Sequence, residues 1–216
     1  MKKFMLIYLL LISNISLAES TQNNNEKYII FARHGETHYN VKKLLTGRGS
    51  NPDLNEEGVK QALELGKKLS QDFSENLQIE LIVSSDMKRT NKTSNLVNTH
   101  LSVPLIYNSQ LQEVDRGGLE GKPLAEVIPI INSIPENQSH PIYGGESTEE
   151  FRNRIIGNIC KYYYAPEKVI LLVAHGYAGE IAHHYFKNEN IKLGNSDYII
   201  FTSRDLENKC SPHKKV

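Results

Sequence analysis

Three short apolar runs in this chain end abruptly in polar side chains, and patterns of helical period separate them. Tyr28 to Ala32 is rich in β-forming residues and runs straight into Arg33-His34-Gly35-Glu36-Thr37. Ile79 to Val83 ends in Ser84-Ser85-Asp86, and Val169 to Ala174, the most apolar of the three, ends in His175-Gly176. Length and flanks make each a buried strand. Leu105 to Tyr107 and Tyr198 to Thr202 read as two further strands. Asn55 is placed to cap a helix whose buried stripe is Val59, Ala62, Leu63, Leu65 and Leu69. A second helix follows Asp86 through about Thr99, and Ser147-Thr148-Glu149-Glu150 has capping-box spacing for a third reaching about Tyr164. A fourth follows Gly176 to Phe186. This alternation implies an α/β fold, a three-layer α/β/α sandwich around a mainly parallel sheet. Such folds bind ligands beyond the carboxyl ends of their strands, where the polar run-outs would meet.

The chain around that core divides simply. Lys2 and Lys3, the apolar run Phe4 to Ile12 and the small residues of Ser16-Leu17-Ala18 form a secretory signal pattern over residues 1–18. The run is shorter than the roughly 20 apolar residues of a spanning helix, so export to the periplasm or beyond is expected rather than a stable membrane association. Residues 19–26 (ESTQNNNE) read as a flexible leader, and residues 27–216 as a single domain. Of 216 residues, 198 remain after residue 18, carrying 23 basic and 25 acidic side chains. That near-balance gives no reason to expect nucleic acid as a partner. Cys160 and Cys210 would form one disulfide in an oxidising compartment, or stay as two thiols; the spacing leaves both open. Between Gly117 and Gly145 four prolines (Pro123, Pro129, Pro135, Pro141) imply a long loop with at most one short helix.

A phosphoryl-transfer site without metal needs a nucleophile, cations for the equatorial oxygens and an acid for the leaving oxygen. His34 and His175 stand at two strand ends, and imidazole is substantially neutral near pH 7. Arg33 adjoins His34, and Arg89 lies one helical turn after Asp86, placed to aim a guanidinium at the same point. Gly35 and Gly176 allow close backbone approach to an oxyanion, and Glu113 leads out of the third strand as a candidate acid. His34 and His38, with Glu36 between them, have zinc-ligand spacing for a helix, but Gly35 after a strand makes the stretch a turn, so no metal is expected.

The stretch Arg33-His34-Gly35-Glu36-Thr37-His38-Tyr39-Asn40 resembles the R-H-G-x-T-x-x-N signature of the histidine phosphatase superfamily. Five further segments resemble its motifs in family order. They are Leu45-Thr46-Gly47 with Pro52 to Gly58, Ser84 to Thr93, Glu113 with Gly117 to Gly121, Gly145-Glu146-Ser147, and Val173-Ala174-His175-Gly176. The resemblance spans roughly residues 27 to 187 and implies a phosphoglycerate mutase-like fold of branch 1. It implies that His34 becomes a phosphohistidine, that Arg33, Arg89 and His175 clamp the phosphoryl oxygens with help from Asn40, and that Glu113 is acid and then base. Thr46, Gly47 and Gly176 would touch phosphate or substrate, Glu36 would support the site, and no cofactor is implied. Thr90 and Ser94 stand where the family often has alanine. Arg116 hints at a further anionic feature of the substrate, although a solvated arginine is the plainer reading. His38, His183 and His184 read as helix surface.

Mutases and phosphatases share this machinery. Residues 122–143 hold one lysine and no arginine, which fits a phosphatase better than the arginine-bearing segment of the mutases, and export would separate a mutase from glycolysis. The expected function is therefore an exported phosphatase of phosphate monoesters, acting on a small phosphorylated substrate or a phosphorylated surface glycan. The alternatives are a mutase-type phosphotransferase or a catalytically weak phosphate-binding protein. Thr37 and His175-Gly176 set the chain apart from the acid phosphatase and phytase branch.

Overall fold

The computed structural model describes residues 26–74, 77–134 and 143–210, so the expected signal segment, the leader up to residue 25, and Pro135 and Pro141 lie outside the described residues. Strands β1 (Tyr28–Arg33), β2 (Leu81–Ser84), β3 (Leu105–Tyr107), β4 (Val169–Ala174) and β5 (Tyr198–Thr202) form one sheet in the order β3-β2-β4-β1-β5. All neighbours are parallel except β5, which runs antiparallel to β1 at the edge. The chain is thus the expected sandwich, and the bounds of β3, β4 and β5 coincide with the apolar runs.

Alternation along each strand builds two cores. Ile29, Phe31, Ile170 and Leu172 face one side, where they meet α5 (Thr148–Tyr163) and α6 (Gly176–Lys187). Ile30, Ala32, Leu171 and Val173 face the other, against α2 (Glu56–Asp72) and α3 (Lys88–Leu101). Both faces being covered explains why β4 has no polar residue at all. Asn55 caps α2 through its side chain, and Ser147 and Glu150 close a capping box on α5, as the spacing predicts.

The stripe expected on α2 needs one correction. Ala62, Leu65 and Leu69 are buried, but Leu63 is exposed and Val59 only half-buried; Gly58 and Gly66 complete the packed face. A Cβ on Gly66 would come within 2.8 Å of the Val97 carbonyl oxygen, so α2 and α3 approach closely because that side chain is missing.

The proline-spaced stretch holds, among its described residues, the one short helix that the sequence allows and a 3-10 turn besides. A 3-10 turn at Gly117–Leu119 precedes α4 (Leu124–Asn132), which continues through Pro129. Val127 of α4 packs on Leu45 and Leu119, roofing the segment after β1. There, a short helix α1 (His38–Val41) is capped by Thr37. At the carboxyl end of the chain, α7 (Ser203–Leu206) leads to Cys210, which is bridged to Cys160 of α5 across 50 residues. A loop of that size contributes on the order of 2–4 kcal/mol by constraining the unfolded chain. His183, expected on the surface, is buried, and its ring shares a 3.0 Å hydrogen bond with the Glu189 carbonyl; His38 and His184 are exposed.

Candidate active site

Strand register places the site. Arg33 pairs with Ala174 and Ser84 with Val173, so His34, His175 and Ser85, each one residue further, stand side by side where the sheet ends. The rings of His34 and His175 lie 5.4 Å apart, edge to face. Arg89, the second residue of α3, reaches both of them and is fully buried. Its Nε donates to His34 Nε2 at 3.2 Å and to His175 Nδ1 at 3.3 Å.

Those contacts fix both tautomers. An arginine N–H can only donate, so His34 Nε2 and His175 Nδ1 each present a lone pair. His34 therefore carries its proton on Nδ1, which donates to the Gly35 carbonyl at 2.7 Å, and His175 donates from Nε2 to Ser85 Oγ at 3.1 Å. Burial first, and the Arg89 charge second, hold both imidazoles well below their ordinary pKa, so both stay neutral through the physiological range. His34 Nε2 is thus an uncharged nucleophile held in one orientation by its other nitrogen.

The cations are poorly matched by anions. Arg89 Nη1 and Nη2 donate to the carbonyls of Ser50 and Gly47 at 3.1 and 3.4 Å, and Arg33 Nη1 donates to the Leu193 carbonyl at 2.7 Å. Arg33 Nε is buried with no partner. Neither guanidinium forms an ion pair among the described residues. Burial lowers Arg33 and brings Arg89 down to about 10, so both remain charged near neutrality. Buried charge of this kind is costly until an anion joins it.

Glu113 is the acid of the group. It is buried, and its Oε1 and Oε2 accept from the N–H groups of Val114 at 3.0 Å and Tyr177 at 3.3 Å. Burial raises its pKa above the usual carboxylate range against the opposing pull of those donors and of Arg89 and Arg116. A cavity of about 360 Å³ is lined among others by Arg33, His34, Asn40, Thr46, Glu113 and Gly176, while the fully buried Arg89 and His175 contact His34 from outside that lining. A larger one, about 640 Å³, lies across Tyr177 and Glu180 and contains neither His34 nor His175.

The expected residues thus converge, with two adjustments. Asn40 borders the cavity, but its Oδ1 is committed to the Thr37 N–H and hydroxyl and to Asn195 Nδ2. Gly47 offers its carbonyl to Arg89, and its missing Cβ leaves room for the Glu120 carboxylate, which a Cβ would meet at 2.3 Å. Gly176 lets Arg33 cross the start of α6, where a Cβ would stand 3.1 Å from Arg33 Nε. Glu36 accepts from Asn55 Nδ2 at 2.8 Å, the supporting role expected of it. Thr90 and Ser94 are buried, with hydroxyls donating to Ser85 or Met87 and to Asn91 carbonyls. His38 begins an exposed turn of helix away from His34, and no group of three or more potential metal ligands occurs among the described residues.

Three supports carry no signal that single residues would reveal. Glu120 accepts from the N–H groups of Gly49, Ser50 and Arg116, shaping the loop that holds Arg89. Glu146 binds Arg154 through Nε and Nη2 at 2.8 and 2.7 Å, and Arg154 Nη1 donates to the carbonyls of Gln110 and Gln112, clamping the approach to Glu113. Residues 193–197 strap the base of His34: its carbonyl accepts from Ser196 N and Asn195 Nδ2, and Arg33 N donates to Asp197.

The turn after His34 depends on two glycines in contact. A Cβ on Gly35 would meet the Gly58 carbonyl oxygen at 2.4 Å, and one on Gly58 would meet the Glu36 oxygen at 2.1 Å. In an exposed helix, glycine to alanine gains about 1 kcal/mol. Here Gly58→Ala is expected to reverse the sign, lowering the urea midpoint and reducing kcat because the backbone beside His34 must move; an unchanged or raised midpoint would contradict this packing.

The chain is similar in sequence and in fold to known proteins. Residues 29–199 match the family model described as histidine phosphatase superfamily (branch 1). A Bacillus subtilis protein named as the uncharacterised phosphatase PhoE is 36% identical over 152 residues, covering 69% of this chain and 72% of its own. A broad-specificity phosphatase of Saccharomyces cerevisiae is 31% identical over 175 residues, covering 78% and 74%. Among solved structures, phosphoglycerate mutase from Bacillus anthracis superposes with a TM-score of 0.71 at 22% identity, covering 84% of this chain and 90% of its own.

Proposed function

The chain belongs to branch 1 of the histidine phosphatase superfamily, and we propose that it is a metal-independent phosphatase of phosphate monoesters acting through a phosphohistidine at His34. The observation that carries this reading is the pairing of a neutral, oriented His34 Nε2 with a buried Arg89 and a half-buried Arg33, neither of which has a carboxylate ion-pair partner among the described residues. A phosphoryl dianion supplies the missing charge at the point where the nucleophile is aimed.

The cycle balances without a metal. The ester docks against Arg33 and Arg89, displacing the Arg89 Nε contact from the lone pair of His34. The Nε2–phosphorus bond forms as the ester P–O bond breaks, and protonated Glu113 gives its proton to the departing oxygen. The Gly35 carbonyl, accepting from Nδ1–H, stabilises the positive ring that results. Water then attacks phosphorus, its proton passes to Glu113, and the bond to Nε2 breaks. His175, donating through Nε2 to Ser85, keeps the Nδ1 lone pair on Arg89 Nε, so in this tautomer it positions the guanidinium that meets the phosphoryl oxygens rather than donating to them itself.

Hydrolysis rather than transfer is supported by the relatives named as phosphatases at 36% and 31% identity and by the absence of arginine from residues 122–143. Export to the periplasm or beyond belongs to the same proposal and is motivated by the pattern of residues 1–18. A small phosphorylated substrate, or the phosphate of a surface glycan, fits a cavity of this size. The deciding assay is hydrolysis of para-nitrophenyl phosphate in excess chelator. Turnover indifferent to chelator is expected, and turnover that chelator abolishes would overturn the metal-free reading.

A further inference from the structure

Arg116 does not behave as the solvated arginine that its sequence position suggests. It is half-buried, and its guanidinium lies over the Tyr177 ring at 4.8 Å. Tyr177 also stacks on Phe151, whose ring is parallel at 5.5 Å and carries Arg154 at 5.1 Å. Arg154 is in turn fixed by Glu146 and two carbonyls. Arg116 is therefore the outer member of a stack whose far end is anchored, which restrains a side chain that would otherwise lose much rotamer freedom on binding.

This stacked cation faces the catalytic cavity, and its Nε is buried without a partner. Charge matching along the cavity wall isolates it. Arg33 and Arg89 suffice for a phosphoryl dianion, and Lys192 is held by Glu180 at 3.1 Å. Glu113, the remaining carboxylate of the lining, serves as the proton donor of the reaction. Arg116 has no ion pair among the described residues. The backbone N–H of Tyr177 also holds Glu113, so one residue sets both the acid and the stacked cation relative to the leaving group.

We propose that Arg116 is a specificity residue that binds a second anionic group on the leaving-group side of the substrate, making this chain selective for phosphate esters that also carry a carboxylate or a second phosphate. This rests on the phosphatase reading above. The guanidinium fork suits either anion, and both would sit at the mouth of the cavity beyond the scissile bond.

A matched three-carbon series tests it: 3-hydroxypropyl phosphate, 3-(phosphonooxy)propionate and propane-1,3-diol bisphosphate, with the wild-type chain beside Arg116→Gln and Arg116→Lys. The wild type is expected to prefer one or both anionic esters over the neutral one by about tenfold or more in kcat/KM. Arg116→Gln should erase most of that preference through KM, and Arg116→Lys should retain part of it. Which anionic ester leads identifies carboxylate or phosphate as the group bound. Equal turnover of all three esters by the wild type overturns the assignment while leaving the phosphatase reading intact. An equal loss on all three in Arg116→Gln also overturns it, and would mean that Arg116 acts only through the charge it presents to Glu113. Failure of the wild type to hydrolyse any of the three, or para-nitrophenyl phosphate, would instead sink the phosphatase reading and this inference with it.

Discussion

His34→Ala should abolish phosphatase turnover, with kcat falling by about 10⁴-fold or more, because the only bond-forming atom of the cycle is removed. The loss should fall on kcat and not on phosphate affinity: Arg33 and Arg89 stay in place, and Arg89 Nε still has His175 Nδ1 as an acceptor. Inorganic phosphate should therefore bind the variant at least as well as the wild type, and a melting curve should show the fold intact. Rapid acid-free quenching of the wild type with labelled ester should trap a base-stable, acid-labile phosphoryl group that is missing from the variant. A variant that keeps more than about a hundredth of wild-type turnover would place the nucleophile elsewhere. Among the described residues His175 is then the other imidazole at the site, although its accessible lone pair is on Nδ1 and its Nε2 is tied to Ser85.

What the sequence made legible, and what it hid, follows from the range of the forces involved. Strand ends are local: an apolar run that stops at Arg33-His34 or His175-Gly176 must surface there, and one sheet brings such ends together at a common level. That is why the meeting of Arg33, His34 and His175 could be expected from the chain, whereas Arg89, on a helix, and Glu113, in a loop, came from their spacing after strand ends and from the resemblance to family motifs. The order β3-β2-β4-β1-β5 was not legible, because nothing in β4 itself states that it inserts between β2 and β1. The adjacency of His34 and His175 is a consequence of that insertion.

Supports made by loops were equally hidden. Asn195 and Ser196 act on His34 through a backbone carbonyl from a segment with no periodicity, about 160 residues away in the chain. Glu120 and Glu146 lie inside motifs that resemble the family's, yet their work is to accept backbone N–H groups or to hold another arginine, which a motif letter does not express. The misplaced Leu63 has a different cause. A stripe drawn from apolar side chains gives glycine no weight, whereas Gly58 and Gly66 are the positions where α2 touches its neighbours most closely. Arg116 was read as solvated because a single sequence gives no sign that Tyr177, sixty-one residues on, will lie beneath it.

Glu113→Gln should separate the acid from the rest of the machinery through its dependence on leaving group and pH. An alkyl ester must have its departing oxygen protonated, whereas para-nitrophenolate leaves readily as the anion. The variant should therefore lose about 10²–10⁴-fold in kcat/KM on glycerol phosphate and much less on para-nitrophenyl phosphate. The amide keeps the size of the carboxyl but can offer one oxygen to the N–H groups of Val114 and Tyr177 where Glu113 offers two. That mismatch costs on the order of 1–3 kcal/mol of stability and is the same for every substrate, so only the ratio between the two esters reports on proton transfer. The pH dependence gives an independent reading. Because burial raises the Glu113 pKa, the acid form persists above the ordinary carboxylate range, and wild-type kcat/KM for the alkyl ester should fall as pH rises through that raised value. The depressed pKa of His34 sets the other limb, where activity is lost only as pH falls far enough to protonate Nε2. Glu113→Gln should flatten the alkaline limb and leave the acid limb where it was. Equal losses on both esters, or an alkaline limb that survives the substitution, would assign the proton to another donor.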